Sequence, residues 1–139
     1  MRKQIVLIIE DNEQNLYLMR FLLEKNGFTV IDARDGREGI RSACALHPDL
    51  ILLDIQLPLM DGYAVAKELR SQELLTKTPI IAVTSYAMEG DREKALGAGA
   101  TDYIEKPINP DTFVRQVSAH LNVRRSPGEE GENGRSTSC

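Results

Sequence analysis

Leu50-Ile51-Leu52-Leu53-Asp54 is the stretch on which the fold of this chain turns. Four consecutive apolar residues without alternation read as a strand buried on both faces, the pattern of a parallel sheet. The run ends on a carboxylate, and in open parallel α/β sheets ligands sit outside the carboxyl ends of the strands. Taken alone, Asp54 is equally well read as a cap for the loop that follows. A second run, Ile5-Val6-Leu7-Ile8-Ile9, is just as apolar and ends on Glu10-Asp11. Two buried strands that end in carboxylates point to a site along one sheet edge.

Outward from these two strands, strand and helix patterns alternate, the signature of a parallel sheet covered on both faces. Asn12 or Asn15 caps a helix running to about Lys25, with Leu16, Met19, Leu22 and Leu23 at helical spacing and Gly27 closing it. Thr29-Val30-Ile31 reads as a short strand, Asp35-Gly36 as a turn, and Arg37 to Leu46 as a weaker helix ended by His47-Pro48. Past Asp54, Pro58 and Asp61-Gly62 mark a loop before a helix from about Tyr63 to Arg70. Ile80 to Thr84 forms a fourth strand. Glu89 to Ala98 forms a poor helix with Leu96 as its one large apolar anchor, and Tyr103-Ile104-Glu105 a fifth strand. Pro110 opens a last helix whose buried stripe is Phe113, Val117 and Leu121.

The chain has 139 residues and a formal charge of -4, which fits a single α/β domain and argues against a nucleic-acid surface. We place that domain at residues 1–125. Residues 126–139, SPGEEGENGRSTSC, hold almost nothing apolar and are expected to be a disordered tail. No apolar run approaches the roughly 18 residues of a membrane span. Met1-Arg2-Lys3 leads straight into a strand, which does not resemble a signal peptide. Cys44 and Cys139 make no disulfide framework, so a cytoplasmic location is the expectation. His47 and His120 stand apart without ligand spacing and read as surface or helix-face residues.

Four strands thus deliver polar groups at their carboxyl ends: Glu10 and Asp11, Asp54, Thr84, and Lys106. Carboxylates about 4 Å apart repel by roughly 4 kcal/mol per pair at an effective dielectric near 20, so such a cluster needs a cation. All-oxygen ligands favour a hard one, Mg²⁺ above all. Magnesium, an ammonium and a hydroxyl together suit the oxygens of a phosphoryl group.

With these residues in place the chain resembles a response-regulator receiver domain of the CheY-like family. The matching motifs are Glu10-Asp11-Asn12, Leu53-Asp54, Pro58-Leu59-Met60-Asp61-Gly62, Val83-Thr84-Ser85 and Tyr103-Ile104-Glu105-Lys106-Pro107, spread over about residues 4 to 122. In length it is similar to the stand-alone CheY and DivK types. The resemblance implies a flavodoxin-like (βα)5 doubly wound sheet in the order 2-1-3-4-5 and a role in two-component phosphorelay signalling. Asp54 would become the 4-aspartylphosphate, taking its phosphoryl group from a sensor histidine kinase or a histidine phosphotransfer protein. Asp11, Asp54 and the backbone carbonyl of Gln56 would hold Mg²⁺, with Glu10 acting through water. Lys106 and Thr84 would each contact a phosphoryl oxygen, and the Lys106-Pro107 bond would be cis. Tyr103 would follow Thr84 inward, changing the face of the fourth helix, fifth strand and fifth helix for a downstream target protein. Gln56 and Tyr86 would flank the phosphoryl group, with the Tyr86 ring slowing self-dephosphorylation.

Such a protein is a phosphoacceptor switch and not an enzyme in the usual sense. An aspartyl-nucleophile phosphatase is the competing class, but it carries an acid two residues beyond the nucleophile, where this chain has Gln56. A pseudo-receiver that serves only as an interaction module tends to lack an acidic residue or the lysine, and here none is missing.

Overall fold

The computed structural model describes residues 3–85 and 90–124. Strands β1 (Ile5–Ile9), β2 (Thr29–Ala33), β3 (Leu50–Asp54), β4 (Ile80–Thr84) and β5 (Asp102–Glu105) alternate with helices α1 (Glu13–Lys25), α2 (Gly36–Leu46), α3 (Gly62–Arg70), α4 (Asp91–Gly97) and α5 (Pro110–Arg124). All the strand pairs are parallel, in the order β2-β1-β3-β4-β5, as the resemblance implied. Every residue of β3 and β4 is buried.

The unbroken apolar runs have a direct physical reason. Val6, Ile8, Leu50 and Leu52 pack under α1 and α5, against Met19, Phe113 and Val117. Their neighbours Leu7, Ile9, Ile51 and Leu53 point the other way, against Ala43, Val65 and Leu69 of α2 and α3. Successive side chains on a strand face opposite sides, so a sheet covered twice has no place for alternation.

Local signals mostly hold. Asn12, rather than Asn15, caps α1, its side chain accepting from Asn15 N at 2.9 Å. His47 ends α2 in the left-handed region at φ 48. The Lys106-Pro107 bond is cis.

Four readings change. Asp35-Gly36 is not a free turn: Asp35 caps α2, accepting from Glu38 N at 2.9 Å, and Gly36 is the first helical residue. Strand β2 runs two residues further, to Ala33, because its register with β1 continues through Ile9. In α4 the anchor is Ala95, fully buried, whereas Leu96 is 37% exposed. A 3-10 turn at Glu73–Leu75 has no counterpart in the sequence pattern. Its Leu75 is buried, and Arg70 holds the surrounding loops by donating to the carbonyls of Leu75, Thr78 and Gly99 at 2.8 Å each.

Among the described residues no helix is long and apolar enough to cross a membrane. Tyr86, the expected start of the fourth helix at Glu89, Cys139 and the tail from Ser126 lie outside the described residues.

Candidate functional site

The parallel register sets the strand ends level. Ile9 lies beside Leu53, Asp54 beside Val83, and Thr84 beside Glu105. The ladder continues one step past each strand: Ile55 N donates to Val83 O at 2.9 Å and Lys106 N to Thr84 O at 2.7 Å. The residues that follow the apolar runs therefore emerge together at one edge.

There the carboxylates of Glu10, Asp11 and Asp54 each place an oxygen within 4.8 Å of the others. Glu10 and Asp54 are almost wholly buried, at 0% and 3% exposure, while Asp11 stands in solvent. Lys106 reaches in from the end of β5. Its Nζ lies 3.2 Å from Glu10 Oε1 and 3.5 Å from Asp54 Oδ2. Backbone donors complete the frame: Asn12 N gives to Glu10 Oε2 at 3.2 Å, and Gln56 N to Asp54 Oδ1 at 2.9 Å.

One ammonium does not balance this group. Burial, and after it the charge of Asp54, push the Glu10 carboxyl up to about 7, although Lys106 and the Asn12 N–H pull it down. Glu10 Oε1 is buried without a hydrogen-bond donor among the described residues, since Lys106 meets it as a charge and aims its hydrogen bond at Oε2. A buried oxygen of this kind, beside two more carboxylates, is a fit for a hard cation.

The loop after β3 is fixed from below. Gly62 N donates to Ile55 O at 3.1 Å, and a Cβ on Gly62 would stand 2.4 Å from Ile55 Cα. Asp61 caps α3 by accepting from Tyr63 N at 3.1 Å, so Asp61-Gly62 is helix-start chemistry. Leu59, at the loop's crest, is 93% exposed with φ 65.

The structure brings Glu10, Asp11, Asp54, Lys106 and Gln56 together around an open cleft of about 400 Å³ that also takes in Asn12 and Ser85, with Thr84 buried behind Gln56. Tyr103 is elsewhere. Half-buried on β5, it borders a separate groove with Arg92, Glu105, Asn109 and Phe113. Two contacts are invisible in the sequence. The Gln56 side chain bridges to β4, donating from Nε2 to Thr84 Oγ1 at 2.9 Å and accepting from Ser85 N at 3.1 Å. His120 on α5 is not isolated: its Nε2 lies 2.8 Å from Asp102 Oδ2. Both join residues far apart in the chain, and no spacing rule encodes them.

Residues 6–118 match the family model of the response regulator receiver domain. The chain is 45% identical over 116 residues to the polar-differentiation response regulator DivK of Brucella ovis, covering 84% of this chain and 94% of that protein. Among solved structures it is similar to the receiver domain of the sensor histidine kinase PA1611 from Pseudomonas aeruginosa, which holds a magnesium ion in its active-site cleft. That likeness has a TM-score of 0.81 and 37% identity, over 87% of this chain and 99% of that one. It is also similar to the chemotaxis protein CheY4 of Vibrio cholerae, with a TM-score of 0.82 and 28% identity over 86% and 100% of the two chains.

Proposed function

Because this chain belongs to the response regulator receiver domain family, and so to the signal switches of two-component systems, we propose that Asp54 is its phosphoacceptor. The observation that carries this reading is the convergence of the Glu10, Asp11 and Asp54 oxygens within 4.8 Å beside Lys106. The donor is a phosphohistidine on a sensor kinase or a histidine phosphotransfer protein. An Asp54 carboxylate oxygen attacks the phosphorus, and a phosphorus–oxygen bond forms as the bond to the donor nitrogen breaks. The nitrogen keeps the electron pair and takes a proton from solvent.

The chain's own residues prepare that step. Asp11, Asp54 and the Gln56 carbonyl would hold Mg²⁺, with Glu10 acting through water. When bound, the ion neutralises the carboxylates and the incoming phosphoryl oxygens. Lys106, already 3.5 Å from Asp54, supplies a second positive charge for a phosphoryl oxygen, and Thr84 supplies a hydroxyl. The departing imidazole nitrogen needs no acid from the protein, and the amide of Gln56 cannot serve as the acid and base that an aspartyl phosphatase carries at that position.

On phosphorylation Thr84 turns toward the new group and Tyr103 follows it inward. The groove of about 300 Å³ beside Tyr103, at the junction of α4, β5 and α5, is then reshaped for a downstream protein. Intact-mass measurement after incubation with a small acyl phosphate and Mg²⁺ is the test. One phosphoryl group is expected on the wild type and none on Asp54→Asn. Modification that persists in Asp54→Asn, or in a chelator, overturns the assignment.

A further inference from the structure

Gln56 grips two consecutive residues of the neighbouring strand end with both halves of its side-chain amide. Ser85 N is a donor, so the amide oxygen must face it, and the amide nitrogen is thereby turned to Thr84 Oγ1. The contact distances are 3.1 and 2.9 Å. The same residue's backbone N–H holds Asp54 Oδ1 at 2.9 Å. One residue therefore ties the end of β3 to the end of β4, across the mouth of the cleft that Asp54, Ser85 and Lys106 line.

Gln56 is itself an exposed residue, and water satisfies an exposed amide at little disadvantage. Its placement therefore matters for what it holds. A phosphoryl group on Asp54 brings oxygens to the region between Asp54 and the end of β4. Besides Lys106, the polar groups there include the Thr84 hydroxyl and the Ser85 N–H, and the Gln56 amide bonds to both.

We propose that Gln56 is a positioning residue that latches the unphosphorylated state: its amide stands in for the phosphoryl oxygens at Thr84 and Ser85 and must let go before they bind. This rests on the reading of Asp54 as phosphoacceptor. Phosphorylation then breaks both side-chain contacts, and the latch slows the arrival of the phosphoryl group. Giving up two such hydrogen bonds, each counted net of exchange with water, corresponds to roughly a tenfold effect on rate.

The test follows phosphorylation of the whole chain by a small acyl phosphate with Mg²⁺, wild type against Gln56→Ala and Gln56→Met. Methionine keeps the reach and bulk of glutamine but can make neither bond. Both variants should be phosphorylated about tenfold faster. Without donor, the Ser85 amide proton resonance should move upfield in both, as it does when a hydrogen bond is lost. Rates within twofold of a wild type that is itself modified overturn the latch and leave Asp54 standing. Acceleration in Gln56→Ala alone makes the side chain a steric plug, which also overturns it, as does an unmoved Ser85 resonance. If neither wild type nor variants take up phosphate, the phosphoacceptor reading has failed and the latch falls with it.

Discussion

Glu10 is an ordinary glutamate held where its charge is unwelcome. In the unfolded chain its carboxyl titrates near 4.5, and in the folded chain burial, then Asp54, raise it to about 7. Between those two values the unfolded chain releases the proton and the folded chain keeps it. The contribution of Glu10 to stability is therefore fully present below pH 4.5 and lost as pH rises to about 7. The difference is on the order of 3 kcal/mol without metal. A cation takes the proton's place, so its benefit grows as the proton leaves. We expect the rise in melting temperature between chelator and millimolar Mg²⁺ to be several degrees larger at pH 8 than at pH 5. Equal rises at the two pH values would mean that Glu10 does not share the ion's site. This residue was legible in the sequence because an acid directly after five apolar residues marks the end of a buried strand. Gln56 was legible only as a neighbour of Asp54, since its side-chain bonds span 28 and 29 residues and depend on how β3 and β4 pair.

Elements show the same division between local rule and packing. The start of α3 carries Gly62 because backbone fills the space beside it: a Cβ would sit 2.4 Å from Ile55 Cα and 2.8 Å from the carbonyls of Asp54 and Ile55. None of these atoms is the end of a flexible side chain. Gly62→Ala should lower stability by about 1–3 kcal/mol in denaturant unfolding and slow phosphorylation, because the loop behind Asp54 must shift. Gly97 in α4 is the control, with nothing within 4 Å of its added Cβ. Gly97→Ala should be neutral or gain up to about 1 kcal/mol. Equal losses at both positions would mean that the backbone beside Gly62 is not the cause, since helix propensity favours alanine at either. The sequence pattern marked both helices, but it could not tell which residue of α4 faces inward. Leu96 has the larger apolar side chain, yet it is Ala95 that packs inward, in a cluster with Ile55, Ala82 and Ala100.

At the scale of the molecule, the strand order was carried by resemblance, and the parallel class by the apolar runs. The order places chain neighbours together on either side of one seam. Residues 5–46 supply β1, α1, β2 and α2, and residues 50–124 supply the other three strands and their helices. Strands β1 and β3 meet at that seam, with Leu7 beside Ile51 and Ile9 beside Leu53. The acidic cluster straddles it: Glu10 and Asp11 belong to the first half, Asp54 and Lys106 to the second.

The molecule is therefore divisible. A cut between His47 and Asp49, in the short link before β3, would leave two pieces that each keep their own strand pairings. Each piece would carry an exposed sheet edge that fits the other's. Neither holds all three converging carboxylates, so a cation bound among them would bridge the fragments. Mixed together, the two peptides should reassemble more tightly in Mg²⁺ than in chelator, and Asp54→Asn in the second peptide should reduce that difference. Titration calorimetry on the pair reads it directly, with the ion acting as a coupling between two molecules where the intact protein has one.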